Sequence, residues 1–303
     1  MPVIPKRAAT VILLRDKEPF GFEVFLLKRH EKNSFMGGNF VYPGGRVDQE
    51  DGSSEIGSFS RGVTSEEAQR ILGGTASPEE DIAYWIAAIR ELFEEAGILL
   101  AYDHKENLLR LRDNDEKKKF SDYRDLLQKA EMSIIEIAKK ENLSLALDQL
   151  RYYAHWITPE ARPERFDTYF FLARYPSGQE ASHDQKETTA GVWIAPGEAL
   201  DDNVRGGAVL SPPTLKTLED LSRFKTIDEV FTSLSNVKIR AILPVLTKIS
   251  SGPMLVFPWD PEYELFRKGE FPSPLEHGRP SQPNDNTTRL LMKEGRWLPY
   301  CRI

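Results

Sequence analysis

The segment from Ser77 to Gly97 constrains this chain more than any other, because it carries its own start, its own stop and two opposed faces. Ser77 is a good N-cap, Pro78 suits the first helical position and Glu80 completes a capping box, so a helix begins there. The pattern runs to Ala96, and Gly97 supplies the residue type on which helices stop. Taking Glu91 as the origin and ~100° per residue, Glu94 lies near ~300° and Glu95 near ~40°, so three carboxylates share one face. Ile82, Trp85, Ile86, Ile89, Phe93 and Ala96 fall between roughly 120° and 220°, which makes the opposite face core. Ala87 and Ala88 border the acidic side and leave room for another segment to approach closely.

Like charges three and four positions apart destabilise a helix by roughly a few tenths of a kcal/mol per pair. Hard cations such as Mg²⁺ or Mn²⁺ want several carboxylate oxygens and also bind phosphate oxygens, which gives such a face a purpose. Arg90 precedes the acids and is placed to hold a neighbouring carboxylate in a bidentate fork. An isolated E-x-x-E-E is more often a solvated surface, but here it sits inside the longer string R-E-L-F-E-E-A-G-I at 90–98. Composition narrows the partners. Lys plus Arg is 40 against 47 Asp plus Glu, a net charge of −7, which argues against a nucleic-acid binder and leaves phosphates to be reached through a metal ion. No apolar window approaches the ~18 residues of a membrane span. The single cysteine, Cys301, rules out an intrachain disulfide and speaks against a Cys-based zinc site, as expected of a reducing cytoplasm.

Residues 8–14 and 22–28 read as a strand hairpin around a turn-like linker, and Asn39–Tyr42 as a third strand stopped by Pro43-Gly44-Gly45. Thr64–Leu72 reads as a short helix ended by Gly73-Gly74, within a polar insertion at about 52–76 expected to fold as a surface excursion. Ile98–Ala101 reads as a strand, and 103–147 as a charge-rich helical insertion. Strands follow at Leu150–Ile157, Asp167–Ala173 and Gly191–Ile194, then helices starting at Pro196 and over Thr214–Phe224, Ile227–Leu234 and Val237–Ile249. The tail offers a strand at Met254–Phe257, a Pro-rich connector from Pro258 to Pro283, and a hairpin of Thr288–Met292 with Arg296–Tyr300. The whole of 1–303 reads as one α+β domain with insertions and a C-terminal extension from about 210.

The string at 90–98 matches the second half of the Nudix signature, G-x5-E-x7-R-E-U-x-E-E-x-G-U with U aliphatic, at Arg90, Glu91, Leu92, Glu94, Glu95, Gly97 and Ile98. The first half begins at Pro43-Gly44-Gly45, with Gly45 as the signature glycine; that puts Asp51 where the family has Glu, with Glu50 as an alternative. The segment between Asp51 and Arg90 is far longer than in the signature. An interrupted box of this kind resembles the peroxisomal coenzyme A diphosphatases of mammals, a likeness carried also by FMGGNFVYPGGRVD at 35–48, WITPEARPERFDTYFFLA at 156–173 and GVWIAPGEAL at 191–200. The resemblance implies the Nudix fold, a mixed sheet sandwiched between helices. It implies that Glu91, Glu94, Glu95 and the Gly45 carbonyl hold Mg²⁺ or Mn²⁺ against a pyrophosphate, with Arg90 in support. A further acid from a later loop often joins in, and Glu187 is the candidate.

Beside the resemblance, Lys28, Arg29, His30 and Lys32 form a basic edge near the box, and Leu26-Leu27-Lys28-Arg29 matches part of the coenzyme A string L-L-T-x-R. Arg162 and Arg165 lie in the Pro-containing approach to a strand and are candidates to meet a substrate phosphate, with Arg165 equally placed to pair with Asp167. His155, His183 and His277 are isolated, and Ser53 and Ser211 lack the surroundings of a nucleophile. The reading is a diphosphatase of coenzyme A or acyl-coenzyme A; the alternatives are the same chemistry on ADP-ribose, a dinucleotide or a nucleotide sugar, and a non-catalytic nucleotide-binding module. A small nucleotide and a homodimer partner are expected, with neither nucleic acid nor membrane.

Overall fold

The computed structural model describes residues 3–32, 36–74, 76–184, 186–235, 237–270, 278–282 and 285–302. The first two apolar runs form β1 (Lys6–Asp16) and β2 (Phe22–Arg29), an antiparallel hairpin with Leu14 opposite Val24. β3 (Phe40–Val41) pairs with β2. The strand structure does not stop at Pro43-Gly44-Gly45 as expected, since β4 (Gly44–Arg46) lies antiparallel on β1. Pro43 has no N–H to give, yet its carbonyl accepts from Val11 N–H at 2.9 Å, so the chain changes partner there without losing the sheet. A Cβ on Gly44 would collide with the Ala9 carbonyl and Thr10, which is why this approach takes a glycine.

After β5 (Ser60–Arg61) come α1 (Ser65–Leu72) and α2 (Pro78–Ala96); α2 has the capping box expected at Ser77 with Glu80, and α1 has a second one, at Thr64 with Glu67. Gly97 closes α2 at φ 71°, in the left-handed region. The strand expected at Ile98–Ala101 is mostly absent, and β6 spans only Ala101–Tyr102. Both backbone groups of Leu99 bond the side-chain amide of Gln179, at 2.8 and 2.9 Å, so a side chain stands where a strand neighbour would. The second insertion is helical as expected, with α3 (Asn114–Gln128) and α4 (Ile134–Glu141), and then adds β7 (Ser144–Ala146). β7 pairs with β5 and β6, so the two insertions share a small sheet.

β8 (Arg151–Ile157), β9 (Phe166–Arg174), β10 (Thr188–Ile194), α5 (Pro196–Arg205), α6 (Pro212–Leu221) and α7 (Ile227–Ser233) follow the expected order. The helix expected over Val237–Ile249 is instead β11 (Ala241–Ile242) and β12 (Val245–Ile249). Pro244 forbids a continuous helix, and Val237, Ile239, Ile242, Val245, Thr247 and Ile249 are β-branched residues that favour extended backbone. β13 (Gly252–Val256) precedes the connector, which holds α8 (Tyr263–Arg267) and β14 (Gly278–Pro280); His277 and Pro283 lie outside the described residues. The closing hairpin is β15 (Arg289–Lys293) with β16 (Arg296–Arg302), turned at Glu294-Gly295 with both φ positive.

Among the described residues the main sheet is mixed, in the order β10-β2-β1-β9-β8-β11 with β3 and β4 attached, and β1 runs parallel to β9. Alternation along β1 sends Ala9, Val11 and Leu13 to the face covered by α2, and Ile12 and Leu14 to the other. That second face packs on α5, α6 and α7 and also on Leu255, Phe257, Leu290 and Trp297 of the C-terminal chain. The α+β class is as expected, with a sheet as well as helices in the outer layer. No helix among the described residues is long and apolar enough to cross a membrane.

The insertion at 52–76 is no surface excursion. Ile56 is 2% exposed and Ala68 0%, both in the core around α2, while Lys139 of α4 pairs with Glu55 and lies over the Phe59 ring. Ile56→Ala should therefore cost about 2–4 kcal/mol in urea unfolding, the range for emptying a core site; a loss below about 0.5 kcal/mol would return the insertion to the surface.

Candidate active site

α2 lies beneath β4, and the two meet through charged groups. Gly44 N–H donates to Glu95 Oε2 at 2.8 Å. A Cβ on Gly45 would strike the Glu91 carboxylate, so this glycine is required by a carboxylate and not by its own φ. Arg90 is 8% exposed and hydrogen-bonds four neighbours, with Asp48 a further ion-pair partner at 3.6 Å. It clasps Asp51 with two bonds of 2.9 Å, donates to Glu91 at 2.8 Å and Glu94 at 3.0 Å, and reaches the Arg46 carbonyl at 2.6 Å.

This arrangement assigns the first acid of the interrupted box. Asp51 is 1% exposed, accepts from Asp48 N–H and locks Arg90 in place, whereas Glu50 is exposed; neither lines the cleft. Burial raises the Asp51 carboxyl above its ordinary value against the opposing pull of Arg90.

The acidic face is not solvated. Side-chain exposure is 12% at Glu91 and 20% at Glu94, and Glu95 is buried. Burial pushes the Glu91 carboxyl up to about 8, and the neighbouring Glu94 adds to this against Arg90. Burial, then the Glu91 charge, drives Glu95 well above the carboxylate range. Glu94 is also raised, chiefly by burial. Among the described residues no three acidic, histidine or cysteine side chains already converge as a metal cage. Arg90 engages one oxygen each of Glu91 and Glu94, and Gly44 engages one of Glu95. The donor set nevertheless fits a hard divalent cation: it is all oxygen, crowded with like charge, and short of positive partners.

A cleft of about 760 Å³ opens over this face, lined on one side by Gly45, Glu91, Glu94, Glu95 and Arg29. Arg29 follows Phe25 and Leu27 on the α2 side of β2, stands 3.9 Å from Glu187, and keeps a buried Nε with no partner. Lys28 points to the other side of the strand and does not line the cleft. Glu187 does line it, 65% exposed, on a loop whose backbone N–H groups at 186–188 are gathered by Asp184. Arg162 reaches the rim, exposed. Arg165 does neither thing expected of it: it is buried and donates to the Thr158 and Val3 carbonyls, at 3.0 and 2.7 Å, while His155 takes Asp167. Its fixed planar fork suits tying two chain segments together, and that removes it from the substrate.

The apolar part of the cleft lining had no signal in the sequence. Leu246, Leu255 and Trp297 of the C-terminal sheet and Trp156 of β8 form it with Pro212 and Pro213. Arg124 and Gln128, which bond the end of α2, were equally unmarked because their partner is a distant backbone carbonyl.

Two outcomes follow. Asp51→Ala strands Arg90 beside its remaining partners and should lower stability by about 3–5 kcal/mol in denaturant titration; a change under about 1 kcal/mol would show that Asp51 is not the lock. Because Glu91 has a folded value of about 8 against an ordinary 4.5, its contribution to stability is full below the unfolded value and lost as pH rises through about 8. In chelator the melting temperature should fall between about pH 4.5 and about pH 8, and millimolar Mg²⁺ or Mn²⁺ should restore more at the upper end, since binding displaces protons. A metal-induced gain independent of pH would contradict the coupling.

The family model described as the NUDT19 Nudix domain matches residues 62–223, more than half of the chain. Acyl-coenzyme A diphosphatase NUDT19 of Xenopus laevis is 30% identical over 272 residues, which cover 80% of this chain and 71% of that protein. The protein of the same name from Homo sapiens is 24% identical over 313 residues, 91% of this chain and 79% of its own. The crystal structure of a NUDIX hydrolase from Alicyclobacillus acidocaldarius matches with a TM-score of 0.59 at 25% identity, covering 78% of this chain and 99% of that one. With its carboxylate helix under a glycine strand and these matches, the chain belongs to the NUDT19 branch of the Nudix hydrolase family.

Proposed function

We propose that this chain hydrolyses the pyrophosphate of coenzyme A or acyl-coenzyme A, giving (acyl-)phosphopantetheine and adenosine 3′,5′-bisphosphate. The observation that carries the reading is a cleft whose lining joins the charged Glu91, Glu94, Glu95 and Arg29 to the apolar Trp156, Leu246, Leu255 and Trp297, which belong to the core on the other face of the sheet. A nucleotide joined through a diphosphate to a long, weakly polar arm brings the same two kinds of surface together. The names of the relatives from Xenopus laevis and Homo sapiens support the same substrate.

Glu91, Glu94, Glu95 and the Gly45 carbonyl would hold Mg²⁺ or Mn²⁺, which supplies charge neutralisation of the diphosphate and acidifies bound water. Arg90 keeps the glutamates in place, and the unpartnered Nε of Arg29 is a donor for a phosphate oxygen. Glu187 takes the proton of the attacking water as its oxygen joins one phosphorus and the bridging oxygen leaves with the other. Trp156 presents a buried indole N–H that has no acceptor, suited to a carbonyl of the pantetheine arm. Arg162 at the rim is the cation offered to the 3′-phosphate. Cytoplasmic placement belongs to the same proposal and rests on the single buried thiol of Cys301.

The test is a substrate panel of coenzyme A, an acyl-coenzyme A, 3′-dephospho-coenzyme A, ADP-ribose and NADH, with products resolved by mass. Coenzyme A species should lead in kcat/KM, Glu94→Gln or Glu95→Gln should lower turnover at least about a hundredfold, and Arg162→Ala should raise KM for coenzyme A more than for its dephospho form. A higher kcat/KM for ADP-ribose or NADH would move the substrate and keep the chemistry. Tight nucleotide binding with no hydrolysis in Mn²⁺ would leave a binding module.

A further inference from the structure

The helical insertion at 103–147 reaches the active site through α3, at the C-terminal end of α2 and at the cleft wall, which Gln128 lines. The last carbonyls of a helix lack intrahelical partners, and the Glu94 carbonyl is one of them. It accepts from Arg124 Nε at 2.8 Å and from Gln128 Nε2 at 2.6 Å, both on α3. The same two residues reach onward to the loop that precedes β10. Arg124 donates to Ser182 Oγ at 3.1 Å and to the Ser182 carbonyl at 3.0 Å, and Lys186 Nζ donates to Gln128 Oε1 at 2.6 Å. Ser182 N–H in turn bonds the Ala96 carbonyl at 2.9 Å, on the last turn of α2.

Gly97 makes room for this junction. A Cβ there would come within 3.1 Å of Arg124 Nη1 and 3.4 Å of Ser182 Oγ, so the residue that ends the box is held small by the clasp as well as by its φ of 71°. Arg124 also places a cation at the negative end of the α2 dipole. The loop so held is the one that carries Glu187, whose backbone N–H is bound by Asp184 at 3.1 Å.

We infer that Arg124 and Gln128 are positioning residues, and that α3 is the clamp fixing Glu187 relative to the glutamates of α2. This rests on the reading of Glu187 as the acceptor of the water proton. The side-chain carboxylates of α2 are held by Arg90 and Gly44, while the clamp touches Glu94 at its main-chain carbonyl, so loosening the clamp bears first on the loop. Loosening it displaces the base from the reacting water, a defect in kcat rather than in ground-state binding.

The experiment is a double-mutant cycle between Glu187→Gln and each of Arg124→Ala and Gln128→Leu, with coenzyme A as substrate. Each clamp variant should lower kcat about tenfold or more with KM within about twofold. The rise in melting temperature given by Mn²⁺ alone should match that of the parent. Added to Glu187→Gln, either clamp change should cost little more, because the group it positions is already gone. Gln128→Leu serves should Arg124→Ala fail to fold. Additive losses, unchanged kcat in Gln128→Leu, or a lost response to Mn²⁺ would each overturn the clamp while leaving Glu187 in its role. Full turnover by Glu187→Gln alone would remove the role of Glu187 and the clamp with it.

Discussion

Everything in the site hangs on Arg90. Its guanidinium joins the glycine strand to the carboxylate helix, through Asp51 and the Arg46 carbonyl on one side and Glu91 and Glu94 on the other. A buried ion pair adds little to net stability once desolvation is counted, but breaking one partner away is costly. The network therefore acts less as a source of stability than as a device that admits a single register of β4 on α2. It also explains how a signature can be interrupted by a long segment and still close. Asp51 and Arg90 make their contact in space, so the chain between them is free in length as long as both ends arrive.

What was legible was local. The glycine stop of α1, the caps of α2, the shared face of Glu91, Glu94 and Glu95, and the closing hairpin around Lys293-Glu294-Gly295 are each set within a few positions of sequence. Where sequence and structure part, a distant group decides. Leu99 belongs to no strand because Gln179 takes both of its backbone groups. Arg165 leaves the substrate side because two carbonyls claim it. The helix expected over Val237–Ile249 had apolar spacing in its favour and Pro244 against it, and the proline prevailed. Alternation in β2 was enough to separate Arg29 from Lys28, since Phe25 and Leu27 already mark the inner face. The apolar part of the cleft lining and the α3 clasp had no such signal, because their members come together only through packing of the C-terminal sheet and the second insertion.

The two insertions also depend on each other. β5 from the first and β7 from the second form adjacent strands, with Ser60 opposite Leu145, and α4 holds Glu55 through Lys139. Removing either leaves the other with an open edge and an exposed apolar side. They behave as one added layer around α2, which buries its core face and, through Arg124 and Gln128, ends its polar one.

The position of β1 has a consequence for how the chain is made. β1 is a central strand, and its parallel neighbour is β9, in register from Lys6 with Phe166 to Leu14 with Arg174. On a ribosome adding ~5–20 residues per second, that neighbour arrives roughly 10–30 s after β1 has emerged. Through that interval the hairpin of β1 and β2 exists with one long edge unpaired and Val11, Ile12, Leu13 and Leu14 uncovered on both faces, the kind of surface that recruits other strands. The order of synthesis thus leaves β1 without its parallel partner for most of the time the domain takes to be made, so yield in a cell should depend on the supply of chaperones that shield nascent strands as well as on the stability of the finished fold.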